Sequence, residues 1–318
     1  MLPKFYRANA ELQSILEQIL EETGVAFPQL APNQIAVTWI LYEPPYRVNT
    51  GGALTAEEFW QYQPKGASYR GVELMNPGGL VALFYLVAMN VWLEQGMVSE
   101  SAEIVRSLTD MMTSVSPDAV SYLIDVLSGT TSGPELSPGP NAAWQQQRNI
   151  VNRYFHQLGW PELRAINVNQ KIWRDRPYGR ERDFAGPASE NRNLLTTDAI
   201  ARLFHSIIGG VSVSSVRSQA MMALMKKTDL QKTDCSAFFS GVANLWALED
   251  KTNRGIGSTV YVESETSHPY QLVILVENPQ TQTASAAHQQ DEITAFVSQR
   301  IFAAAQQAFH TAFHTEVC

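Results

Sequence analysis

The chain has 318 residues, of which 45% are apolar and 17% charged, and its formal net charge is −8. These values fit a soluble globular protein long enough for one large domain or two coupled lobes with a sizeable core. The acidic balance gives no overall field to draw in nucleic acid or an anionic membrane.

The stretch from Met1 to Arg7 has no apolar run of the signal-peptide kind, so a cytoplasmic protein, or one whose leader has been removed, is expected. Leu12, Ile15, Leu16, Ile19 and Leu20 then recur at helical spacing and predict a helix over 8–23, closed by Gly24. Gln34 to Tyr42 is rich in β-branched and aromatic residues and predicts a strand, stopped by Glu43, Pro44 and Pro45. Residues 46–75 read as mixed and loop-rich. The longest apolar run, Gly78 to Leu93, is shorter than the ~18 to 20 residues a membrane span needs and is interrupted by Asn90. It predicts a buried helix, opened by Asn76-Pro77 and closed by Gly96.

Helices are predicted over 100–113 and from Ser116-Pro117-Asp118 to Leu127. Ser128 to Pro140 is a Gly/Ser/Pro/Thr-rich loop, and 142–158 is helical again. Residues 168–195 are polar and carry Pro177, Gly179, Gly186 and Pro187, which reads as a long surface loop. Thr197 caps a helix with Ile200, Leu203, Phe204, Ile207 and Ile208 on one face, ended by Gly209-Gly210. Strands are expected over Ser258 to Glu263 and Gln271 to Glu277, separated by a polar turn at His268-Pro269, and a last helix over Asp291 to Phe313. No internal repeat is present. An α/β layer that both begins and ends the chain, with a helical insertion between, accounts for this order. The expected division is an α/β lobe from 1–75 and 200–318 and a helical lobe, with its long polar loop, from 76–199.

That layout resembles the serine β-lactamase and penicillin-binding protein superfamily, in particular its class A-like branch. Met75-Asn76-Pro77 and the apolar helix ending in Glu94-Gln95-Gly96 resemble the segment that carries the nucleophile in that family. Ser116-Pro117-Asp118 leading into Tyr122-Leu123-Ile124-Asp125 resembles its second motif, and Thr196-Thr197-Asp198-Ala199-Ile200-Ala201-Arg202-Leu203 its Thr-Thr helix start. Val260-Tyr261-Val262 and Leu272 to Val276 resemble the last core strands. The resemblance implies an α/β (α+β) fold of the β-lactamase/transpeptidase kind: an antiparallel sheet flanked by helices plus an all-helical lobe.

The resemblance also implies three motifs, each changed here. The first is Ser-x-x-Lys, where the serine attacks a lactam carbonyl and the lysine helps take its proton. Gly79 and Ala82 stand in those places, and neither offers a nucleophile or a base. The second is Ser-x-Asn, matched by Ser116 and Asp118; ionised, Asp118 cannot donate the amide N–H of asparagine. The same three residues also make a good helix cap without any catalytic role. Registers shifted by one residue give Gly78 with Val81, or Val115 with Pro117, and restore nothing. The third is Lys-Thr-Gly, for which Lys251-Thr252-Asn253 is the candidate, with Asn253 in place of the glycine that lets substrate approach. Otherwise Lys251 is a solvated strand-end lysine. Glu162 with Ile166 and Asn167 is one residue too long for the family's Glu-x-x-Leu-Asn pattern.

Other clusters carry less. Arg174, Arg176, Arg180 and Arg182 alternate with Asp175, Glu181 and Asp183 and read as a salt-bridged loop more readily than an anion or partner site. His310 and His314 are spaced i, i+4 without a third ligand, and Cys235 and Ser236 have no recognisable base. Cys235 and Cys318 are expected as free thiols, with one disulfide also possible. No cofactor and no metal are called for. The expectation is a β-lactamase-like serine hydrolase homologue that is catalytically dead or impaired. It would bind a peptidoglycan-like or β-lactam-like ligand or a protein partner, with no nucleic acid and no membrane span. The rival is an active hydrolase with a displaced nucleophile, Ser116, helped by Lys251.

Overall fold

The computed structural model describes residues 4–42, 54–173, 176–227, 244–252, 255–277 and 284–316. Side chains of the last helix are described from 289 to 309. Cys235, Ser236, Arg174, Asp175, Asn253, Cys318 and the side chains of His310 and His314 therefore lie outside the described residues.

A two-residue strand β1 (Arg7–Ala8) leads into α1 (Ala10–Ala26), whose N-terminus is capped by the Asn9 side chain. Gly24 lies inside that helix rather than ending it. Strand β2 (Ile35–Leu41) is buried at every position, as a strand covered on both faces must be. The segment expected to be loop-rich contains α2 (Ala56–Gln61), held by a capping box between Thr55 and Glu58, and β3 (Lys65–Tyr69). A 3₁₀ turn over Gly78–Val81 feeds α3 (Ala82–Glu94), which is buried from Ala82 to Trp92 and therefore lacks a polar face.

Around it pack α4 (Ala102–Ser114), α5 (Pro117–Ser128) and α7 (Ile150–Gln157), with α6 (Pro138–Arg148) set against α5 and separated from α7 at Asn149. Residues 168–195 are not a solvated surface loop. They hold α8 (Gly179–Ala185), and Val168, Asn169, Gln170, Lys171, Glu181 and Phe184 are buried. Then follow α9 (Thr197–Ile208), capped by Thr196 rather than Thr197, and α10 (Ser215–Met225). Strands β4 (Asn244–Thr252), β5 (Gly255–Ser264) and β6 (Ser267–Glu277) precede α11 (Ala284–Glu316). His268 and Pro269, expected in the turn, belong to β6, and the turn falls at Glu265-Thr266.

Among the described residues the strands form one sheet in the order β1-β3-β2-β6-β5-β4, antiparallel except for the β1–β3 pair. Alternation along each strand splits the core in two. Val37, Trp39 and Leu41 face α1 and α11, where Ile293, Val297, Ile301 and Ala305 form one stripe. Ala36 and Ile40 face the helical side, where α3 and α9 lie. Tyr42 joins the two layers: its hydroxyl lies 2.9 Å from Nδ1 of the buried His205 on α9. Burial, and then the charge of Arg202, push that imidazole down to about 3, so it is neutral. No helix among the described residues is long and apolar enough to cross a membrane.

Candidate active site

The first turn of the buried helix meets the edge of the sheet at Gly79. Its N–H donates to Oδ2 of Asp250 on β4 at 2.6 Å. A carboxylate beside the unsatisfied N–H groups of a helix start is electrostatically apt. One residue earlier, the Gly78 N–H donates to Oδ1 of Asn76 at 3.1 Å, and the Asn76 N–H donates to the Glu277 carboxylate at the end of β6.

No side chain fits at Gly79. A Cβ built there would sit 2.2 Å from Cγ1 of Val115 and 2.8 Å from Cβ of Asp250. Ala82, one turn on, is fully buried among apolar neighbours. Val115 ends α4 in the left-handed conformation, with φ 47° and ψ 43°. That backbone is costly for a β-branched residue, at about 1–2 kcal/mol. The Cγ1 methyl of Val115 fills the space over Gly79.

The candidate residues are not brought together. Ser116 caps α5, its Oγ accepting from the Ala119 N–H at 3.4 Å, and Asp118 on the first turn is exposed. The residue of the second motif that reaches Gly79 is Val115, in the register shifted by one. Lys251 is on the opposite face of β4. Trp246 and Leu248 face the helical side, Leu245 and Ala247 the α1/α11 side, and by the same alternation Asp250 faces Gly79. The Lys251 ammonium is ion-paired with Asp291 on α11. Thr252 shares the Asp250 face, with Cγ2 3.6 Å from where a Gly78 Cβ would be. Ser116 and Lys251 therefore do not form a nucleophile–helper pair. Glu162 is ion-paired with Arg202 at 2.6 Å, both nearly buried. Arg182 pairs with Glu135, and among the described residues no group of three or more His, Cys, Asp or Glu side chains is placed to hold a metal ion.

Asp250 is the site residue that the motif reading missed. With β4 in place sheet alternation assigns it, because Lys251 cannot face the helical side if Trp246 and Leu248 do. Burial pushes the Asp250 carboxyl above the ordinary range, against the pull of the N–H bonds from Gly79 and Lys251. A raised folded-state pKa contributes stability that is complete at low pH and is lost as pH rises through the folded value. Asp250→Asn keeps an acceptor for the Gly79 N–H and removes the charge. It should therefore match the parent in urea unfolding at low pH and exceed it at pH 7, as about 1–3 kcal/mol is lost only when a buried bond partner is removed. An asparagine variant less stable than the parent at pH 7 would contradict this.

A sheet covered on one face by the N- and C-terminal helices and on the other by a helical layer, with the start of a buried helix against the edge strand, defines the β-lactamase and penicillin-binding protein class. A model of the Beta-lactamase enzyme family matches residues 145–305, just over half of the chain, and the chain belongs to that family. The β-lactamase of Sphaerobacter thermophilus is similar in structure, with a TM-score of 0.61, 12% identity, and coverage of 91% of this chain and 97% of that one. PBP-A is similar at a TM-score of 0.57 and 14% identity over 95% of this chain and 99% of that one. A β-lactamase from Chitinophaga pinensis gives 0.59 and 12% over 92% and 99%. At these identities the likeness is one of fold. No curated protein matches the chain.

Proposed function

We propose that this chain is a non-hydrolytic member of the β-lactamase family that uses the fold for binding and forms no acyl-enzyme. The observation that carries this reading is the Gly79 N–H bonded to Asp250 under the Cγ1 methyl of Val115. Acyl transfer needs a nucleophile, a base and donors free to meet the developing oxyanion. Glycine and alanine supply neither of the first two, and the N–H of Gly79 is engaged by a carboxylate. An entering β-lactam would meet a carboxylate and a packed methyl group where an enzyme keeps space for the carbonyl. The expected division into an α/β lobe (1–75 and 200–318) and a helical lobe (76–199) gives the Gly79–Asp250 bond a second role, since it would pin the two lobes together across the cleft.

Hydrolysis of a chromogenic cephalosporin tests the reading. The protein should give the buffer rate across the substrate range. A saturable rate that rises in proportion to protein concentration would overturn it, and would point back to a displaced nucleophile.

A further inference from the structure

An open concave site that includes none of the residues at Gly79 lies between α6, α7 and the extended segment before α8. It is an open cleft of about 420 Å³, and carboxamides dominate its lining. Asn149 and Asn152 come from the α6–α7 corner, Asn167 and Asn169 from the extended segment, and Asn191 from the stretch before α9. The backbone there is fixed: Asn167 exchanges both main-chain bonds with Leu194, at 2.8 and 2.9 Å.

The amides orient one another. Nδ2 of Asn169 donates to Oδ1 of Asn149 and of Asn191, each at 3.0 Å, and Nδ2 of Asn167 donates to Oδ1 of Asn191 at 2.9 Å. Oδ1 of Asn152 accepts from the Val168 N–H at 3.0 Å, which leaves its Nδ2 as a donor. Asn169 is only 4% exposed, and its Oδ1 has no hydrogen-bond partner. That oxygen is itself sealed from solvent, and the amides a ligand can reach are those of the half-buried Gln145 and the exposed Gln146. Arg153 lies on the same lining. Its guanidinium donates to the Gln146 carbonyl, and no carboxylate lies within ion-pair distance of it among the described residues.

We infer that this cleft is a binding site for a saccharide that carries a carboxylate. A cleft for an apolar ligand would have hydrophobic walls and few polar groups, the reverse of this one. Each sugar hydroxyl both donates and accepts, and the side-chain amides of Gln145 and Gln146 on the lining offer both complements. The cation without a carboxylate partner favours an anionic group, which guanidinium can hold through two parallel bonds. A single cation in an acidic chain does not suit a polyphosphate or nucleic acid. The inference is independent of the reading of Gly79, because none of the lining residues takes part in the Gly79, Val115 and Asp250 contacts.

The test is calorimetric titration of the intact protein with trigalacturonic acid and with N-acetylneuraminic acid, beside galactotriose as neutral counterpart and triglycine as a peptide probe. At least one of the two acids should bind saturably, and about tenfold more tightly than galactotriose. Ala142→Trp, on an exposed lining position of α6, should abolish binding while leaving the unfolding midpoint unchanged. Arg153→Gln should remove the preference for the acid and leave neutral-sugar binding as it was. The proposal is overturned if neither acid binds at about 10 mM, if binding survives Ala142→Trp, or if triglycine binds in preference to both sugars.

Discussion

Arg148→Met should lower the free energy of unfolding by about 3 kcal/mol, the low end of the cost of removing one partner of a buried ion pair. Arg148 and Glu181 are both without exposed side-chain surface, and an Arg148 Nη2 to Glu181 Oε1 bond of 2.6 Å joins α6 to α8. The same nitrogen reaches Asp125 on α5 at 3.0 Å, and the guanidinium lies 4.9 Å from the Trp144 ring centre. Lys171 closes the network, with Nζ 2.8 Å from Asp125, 2.9 Å from Ser132 and 3.7 Å from Glu181. Removing Arg148 leaves the buried Glu181 carboxylate with one hydrogen bond, from the Ser132 hydroxyl at 2.9 Å, and Lys171 at 3.7 Å. Adding Glu181→Leu should recover much of the loss, because two apolar side chains of similar volume replace an ion pair at little cost. Urea unfolding of the parent, the single and the double variant reads this directly. A single variant within about 1 kcal/mol of the parent would mean that the network is surface-like in energy.

Gly79→Ser, the substitution that would put back a family hydroxyl, should destabilise the protein by about 1–3 kcal/mol, the range for overfilling a packed site. The new Cβ has to displace Val115 Cγ1, 2.2 Å away, and the Asp250 side chain at 2.8 Å. Val115 has little freedom to give way, since its own backbone is held left-handed at φ 47°. Val115→Ala should therefore be strongly coupled to it: the double variant should lose less than the two single losses combined, by about 0.5–3 kcal/mol, as contacting residues do. Thermal and urea unfolding of the four proteins measures the coupling. A serine variant as stable as the parent would show that the space over Gly79 is open, and would remove the ground for a filled site.

The strongly periodic parts of the chain were legible in sequence. β2 is nearly all apolar, β5 and β6 each carry a run rich in β-branched and apolar residues, and α1, α3 and α9 carry clear stripes or unbroken apolar runs. β3 was not legible. Its Lys-Gly-Ala-Ser-Tyr sequence carries small residues because Tyr6 and Ile40 press on Gly66, where a Cβ would come within 2.6 and 2.7 Å of their rings and methyls respectively. β4 ends in Glu249-Asp250-Lys251-Thr252, and charge at an edge strand reads as loop. Residues 168–195 looked solvated because Lys171 and Glu181 are charged, yet each is buried by partners distant in sequence, Asp125 and Arg148.

At the site, the loss of nucleophile and base at Gly79 and Ala82 could be read from residue type alone. What replaced them could not. A one-residue change of register turns a strand residue to the other face, so motif matching fell on Lys251 while Asp250 faces the site. The same slip separates Ser116, which caps a helix, from Val115, which covers Gly79.

The most direct measurement is the intact mass of the protein after prolonged incubation with a fluorescent penicillin. A site filled by Val115 and Asp250 around Gly79 predicts the unmodified mass at every penicillin concentration. A stoichiometric increase by the mass of one penicillin would show an acyl-enzyme and contradict the account.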